Sequence, residues 1–181
     1  MKEEIIIAGF GGQGVLSMGK ILAYGGIMQD QEVSWLPSYG PEMRGGTCNV
    51  SVVLSDNKIS SPILSKFDTA IILNQQSMDK FENQVKPGGL LIYDTNGITR
   101  HPVREDITIC RIDAVEEAAK LGNAKAYNMV VLGAYLKMKP VVTMDNVIKG
   151  LKKSLPPRRH NLIPMNEQAI TVGMNAVVKV R

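Results

Sequence analysis

Three consecutive isoleucines, Ile5 to Ile7, followed by Ala8 and Gly9, constrain this chain more than any other feature. Successive side chains of a strand point to opposite faces, so an unbroken apolar run needs cover on both faces of its sheet. A glycine-rich turn follows at once: "AGFGGQGVLSMGK" (8–20) holds Gly9, Gly11, Gly12 and Gly14. From Val15 to Met28, the apolar residues Leu16, Met18, Ile21, Leu22, Ala23, Ile27 and Met28 recur at helical spacing. A doubly buried strand, a glycine turn and a helix form the opening unit of a doubly wound α/β sheet.

The rest of the chain fits that frame. Strands are expected at 32–38 ("EVSWLPS", stopped by Pro37), 47–55, 67–74, 88–94 and 106–113, with a helix over 75–85. Helices are expected at 114–122, 124–137, 143–155 and 166–178, with Thr143 as a cap and Gly122 as a stop. The alternating pattern of "TCNVSVVLS" (47–55) predicts a mixed sheet. The expected fold is α/β: a Rossmann-like three-layer sandwich with a mostly parallel, mixed sheet and C-terminal helices. At 181 residues, without repeats or linkers, it is expected to be a single domain over 1–181.

Composition removes several function classes. The two cysteines, Cys48 and Cys110, lie far apart in strands and suit buried thiols in a reducing compartment, not a zinc or iron–sulfur site. The net charge is +4, with the excess near "KGLKKSLPPRRHN" (149–161). That run lacks interleaved aromatics, so a solvated or subunit-facing basic edge is expected rather than a nucleic-acid surface. No apolar run reaches the length of a membrane span, and "MKEEIIIAGFGG" does not read as a signal peptide. The expected location is cytoplasmic.

Gly9-x-Gly11-x-x-Gly14 matches the dinucleotide-binding pattern. In that setting glycines admit a tight turn and bring backbone N–H groups to a phosphate at a helix N-terminus. The pattern also asks for an acidic residue at the end of the second strand to hold a ribose. Here that strand ends "SWLPSYG", with Glu32 before it and Glu42 in the loop beyond. Gln13 adds an amide at the tip of the turn. Three readings stay open: a nicotinamide or flavin site, a structural turn, and a turn that touches a phosphate or a partner loop.

"WLPSYGPEMRGGT" (35–47) is the second unusual stretch. Pro37 and Pro41 stiffen it, Gly40, Gly45 and Gly46 let it bend, and Tyr39, Glu42 and Arg44 carry its chemistry. Both loops leave the C-terminal edge of an α/β sheet, where ligands bind. Arg44 can fork onto a phosphate or carboxylate, or pair with Glu42 or a neighbouring subunit.

"GFGGQGV" with "PSYGPEMRGG" resembles the gamma subunit of the 2-oxoacid:ferredoxin (acceptor) oxidoreductases, which act on pyruvate, 2-oxoglutarate, 2-oxoisovalerate or indolepyruvate. The likeness continues through "ILNQQSMDKF", "NMVVLGAYL" and "NEQAITVGMNAV", covering nearly the whole chain. It implies a complex that decarboxylates a 2-oxoacid on thiamine diphosphate with magnesium, passes electrons through iron–sulfur clusters to ferredoxin, and forms acyl-CoA. The thiamine chemistry belongs to the alpha and beta subunits, and the clusters to beta or a ferredoxin-like delta. The resemblance implies a gamma chain that holds no cofactor or metal by itself, has no catalytic residue, and is inactive alone.

This chain agrees with such a role. It has no cysteine cluster, "YDTNG" (93–97) is not a thiamine diphosphate signature, and His101 and His160 read as exposed loop residues. Gly11, Gly12, Gln13, Gly14, Tyr39 and Arg44 are the implied contacts with coenzyme A or a partner loop. Met129, Met138, Met165 and Met174 suit either a contact surface or core packing. The substrate expected from overall likeness is 2-oxoglutarate or a branched-chain 2-oxoacid. An isolated chain with exposed apolar surface can self-associate as a homodimer. The alternative is a stand-alone NAD(P)- or flavin-binding oxidoreductase.

Overall fold

The computed structural model describes residues 1–39 and 46–181, with Tyr39 described by its backbone. Among the described residues, seven strands form one sheet in the order β2-β3-β1-β4-β5-β6-β7. They are β1 (Lys2–Phe10), β2 (Glu32–Tyr39), β3 (Thr47–Ser55), β4 (Phe67–Ile72), β5 (Val85–Asp94), β6 (Thr108–Ile112) and β7 (Val178–Lys179). β1, β4, β5 and β6 run parallel, while β3 lies antiparallel between β1 and β2. The sheet is therefore mixed, as the alternation in β3 predicts.

Among the described residues, six α-helices cover it: α1 (Val15–Met28), α2 (Gln75–Phe81), α3 (Ala114–Lys120), α4 (Tyr127–Met138), α5 (Met144–Ser154) and α6 (Ile163–Ala176). The isoleucine run does what its pattern requires. Ile5 and Ile7 join the core beneath α1, α4, α5 and α6, while Ile6 and Ala8 join the opposite core with Phe67, Met78 and Phe81. The two covering layers are unequal, since α2 is the helix of the second face and loop residues Ile98 and Ile107 complete it. α4 is buried from Met129 to Leu136, which explains an apolar sequence without an amphipathic stripe.

Three expectations change. Pro37 does not stop β2; it sits opposite Val50 within the strand. β2 is an edge strand, with one of its two rows of backbone groups facing away from the sheet, and there a missing N–H is tolerated. The last helix ends at Ala176, not 178, and Val178–Lys179 pairs with Cys110 and Arg111 of β6. The β-branched Val178 and its neighbours Val177 and Val180 favour the extended chain. His160 is half-buried: its Nε2 lies 3.0 Å from the carbonyls of both Lys152 and Leu155, where it caps the C-terminal end of α5.

Thr143 caps α5 through the Asn146 amide as expected, and Gly122 takes a left-handed φ of 72° just beyond α3. Cys48 and Cys110 are buried, and burial pushes both thiols up. Met129 is buried in the larger core, while Met138 and Met174 pack against it. No helix among the described residues is long and apolar enough to cross a membrane.

Candidate functional site

The C-terminal ends of β1, β4, β5 and β6 share one edge, and the chemistry suggested by the sequence gathers there. The glycine turn leaves β1 at Phe10 and enters α1 at Val15. Gly12 and Gly14 hold left-handed φ values of 94° and 77°, which a Cβ would strain. Gly14 is the N-cap of α1, with no side-chain cap and no acidic residue in the first turn. The Gly11 amide donates to the carbonyl of Gly46 (3.0 Å). This contact joins the two unusual stretches at the sheet edge. Tyr39 closes β2 opposite Cys48. Arg44, with Gly40, Pro41, Glu42 and Gly45, lies outside the described residues.

Gln13 departs from its expected place. Its amide turns inward, its Oε1 accepting from the Phe10 amide (2.6 Å) and its Nε2 donating to the Leu73 carbonyl (3.2 Å). The Gln13 amide nitrogen of the backbone donates to Phe10 O (3.3 Å), and Asn128 Nδ2 donates to Gly14 O (3.3 Å). The turn is thus held by β4, by α4 and by the start of β3.

A groove of about 300 Å³ opens beside the turn, lined by Gly12, Gln13, Val115, Ala118, Ala124 and Tyr127. Tyr127 is anchored from behind: its hydroxyl donates to Asp94 Oδ2 (2.9 Å), and the Ala114 amide donates to Asp94 Oδ1 (3.1 Å). Asp94 is 1% exposed at the end of β5. Burial lifts its carboxyl above the ordinary aspartate range, against the pull of Tyr127 and the Ala114 amide. Burial also raises the Tyr127 phenol, reinforced by the Asp94 charge. Thr95 bonds Asp113 at the rim of a neighbouring groove of about 260 Å³.

Sequence reading passes over Asp94, Tyr127 and Asn128. The signal for Asp94 was present: an acid directly after a doubly buried strand in "LLIYD" must end at the ligand-binding edge. Nothing local marks Tyr127 or Asn128, whose partners lie 33 and 114 residues away.

A folded-state carboxyl raised by burial favours folding when protonated. Its contribution is complete below the unfolded value of about 3.9 and is lost as pH rises through the folded value. Asparagine can accept from the Ala114 amide through Oδ1 and donate through Nδ2 to the Tyr127 hydroxyl, which then turns from donor to acceptor, without the charge. Asp94→Asn is therefore expected to gain stability relative to the parent between about pH 4 and about pH 7. Urea midpoints at both ends of that range check this; a difference that does not change with pH would refute it.

The edge offers backbone amides and a groove that can bind and position a ligand. Among the described residues, no group of three His, Cys, Asp or Glu side chains could hold a metal ion. A dinucleotide is poorly served, because β3 separates β2 from β1 and puts the end of the second strand roughly 10 Å from the turn's own strand. The uncapped start of α1 suits an anion better.

Residues 4–176 match the family model for pyruvate ferredoxin/flavodoxin oxidoreductase. The chain belongs to that family. It is 36% identical over 170 residues to the ketoisovalerate oxidoreductase subunit VorA of Methanothermobacter thermautotrophicus, covering 94% of this chain and 35% of VorA. It is 33% identical over 159 residues to the 2-oxoglutarate synthase subunit KorC of Methanocaldococcus jannaschii, covering 86% of this chain and 85% of KorC. The chain thus spans about a third of the VorA relative and most of the KorC relative. Among solved structures, the gamma subunit of a keto/oxoacid ferredoxin oxidoreductase from Geobacter sulfurreducens superposes with a TM-score of 0.82. Their identity is 26%, and the match covers 97% of this chain and 96% of that one. The expected fold and family are those found.

Proposed function

We propose that the chain is the gamma subunit of a thiamine-diphosphate-dependent 2-oxoacid:ferredoxin oxidoreductase, which decarboxylates its substrate oxidatively to an acyl-CoA. One observation carries its part in the site: the Gly11 amide bonds Gly46, bringing the glycine turn and the end of the 39–46 loop to one edge. On this reading the edge faces the active region shared with the alpha and beta subunits, and with delta where clusters reside there. Thiamine diphosphate, magnesium and the iron–sulfur clusters sit on those partners.

Coenzyme A fits better, because the first turn of α1 carries no carboxylate to repel a phosphate. The amides near Gly12 and Gly14 and the Arg44 guanidinium would hold its phosphates. Tyr39 would contact the ligand or a partner loop, while the Gln13 amide is engaged by Phe10 and Leu73. The substrate is 2-oxoglutarate or a branched-chain 2-oxoacid, the two classes named by the KorC and VorA relatives. Ferredoxin accepts the electrons, and the isolated chain can pair with itself.

A tagged chain drawn from its own cytoplasm, with its companions identified by mass spectrometry, tests the assignment. Recovery of a thiamine-binding pair and a ferredoxin-like protein supports it; a lone protein carrying NAD or flavin would overturn it. In the recovered complex, Arg44→Ala should raise the KM for coenzyme A about tenfold or more, the loss of one charge-assisted bond. An unchanged KM would remove the anion role.

A further inference from the structure

The parallel ladder between β1 and β4 pairs Ile5 with Thr69 through Ala8 with Ile72. Leu73 N then donates to Ala8 O (2.8 Å). In a parallel ladder the next bond would run from Phe10 N to Leu73 O. Both groups instead meet the Gln13 side chain: Oε1 takes the Phe10 amide and Nε2 gives to Leu73. A single side-chain amide is inserted into the rung. Only one orientation of that amide satisfies both partners, a donor on one side and an acceptor on the other.

The inserted amide holds the ends of β1 and β4 apart by its own width. It does so where the glycine turn departs and the Gly12–Tyr127 groove opens. Gly9 is the residue opposite, and it has room for no side chain. A Cβ there would run into Gln13 Oε1 and lie 2.9 Å from Leu73 Cβ. The first glycine of the pattern thus leaves room for the inserted amide.

We infer that Gln13 is a positioning residue: as a spacer in the β1–β4 ladder it sets where the glycine turn stands relative to the ligand at this edge. The inference rests on the coenzyme A reading above. Gln13→Glu keeps the length and the acceptor but, when ionised, sets a carboxylate against the Leu73 carbonyl. Gln29→Ala is the control. Gln29 clasps the far end of α1, with Nε2 to Val141 O (2.6 Å) and Oε1 from Thr143 N (3.1 Å).

In the assembled complex, Gln13→Glu should raise the coenzyme A KM about tenfold, in line with a small misplacement of binding groups, while Gln29→Ala leaves it unchanged. In the isolated full chain, the loss of melting temperature in Gln13→Glu should shrink on acidification, as protonation restores a donor towards Leu73. A pH-independent loss, or none, overturns the spacer. An unchanged KM in Gln13→Glu beside a raised one in Arg44→Ala overturns the positioning role alone. If neither variant moves the KM, the coenzyme A reading falls with it. An equal rise in Gln29→Ala reduces Gln13 to a general structural role.

Discussion

Gly173→Ala should lower the melting temperature by roughly 6–12 °C, the equivalent of about 3 kcal/mol for a chain of this length. α4 and α6 pack so closely that glycine on each faces backbone on the other. A Cβ at Gly173 would press into the carbonyl oxygen of Val130, and one at Gly133 into the carbonyl of Ile170. The obstruction is backbone, which cannot swing aside like a side chain. Alanine's better helix propensity returns only about 1 kcal/mol. The helices must separate, and α4 is the buried centre of the larger core, with Val130, Val131 and Leu132 fully inaccessible. Gly133→Ala should behave alike. An unchanged or higher melting temperature in both variants would mean that the pair separates without cost.

The same contact shows where sequence reasoning stops. "NMVVLGAYL" and "NEQAITVGMNAV" read as helices from their apolar content, but nothing in either says that Gly133 meets the backbone of Ile170 or Gly173 that of Val130. Strands β1, β4 and β5 were legible because their apolar runs are short, rich in isoleucine or leucine and bounded by polar or glycine residues, whereas the longer apolar run of α4 is a buried helix. β7 was not: two residues show no period, and their partner Cys110 lies 69 residues earlier. At the site, the two glycine-rich loops were legible as neighbours from sheet topology alone. The destination of Gln13 was not, because its partner Leu73 lies 60 residues away and the choice between solvent and ladder is made by tertiary contact. Arg44 remains a proposal on sequence grounds.

Gly9→Ala offers the sharpest test of that hidden arrangement. The added methyl would collide with the Gln13 amide and drive it from the ladder, leaving the Phe10 amide and the Leu73 carbonyl without their partner. Each unsatisfied group costs about 1–3 kcal/mol when water is excluded, so Gly9→Ala alone should destabilise the chain by about 3 kcal/mol. The crowding against Leu73 Cβ at 2.9 Å adds to this. In a Gln13→Ala background there is no amide to expel, and the same substitution should cost less. The two changes should therefore couple by about 1 kcal/mol or more in a double-mutant cycle on urea midpoints. Additive effects would place the Gln13 amide outside the rung. Coupling would show that the first glycine of a nucleotide-like pattern is there to admit a side chain, a use of the motif that needs no dinucleotide.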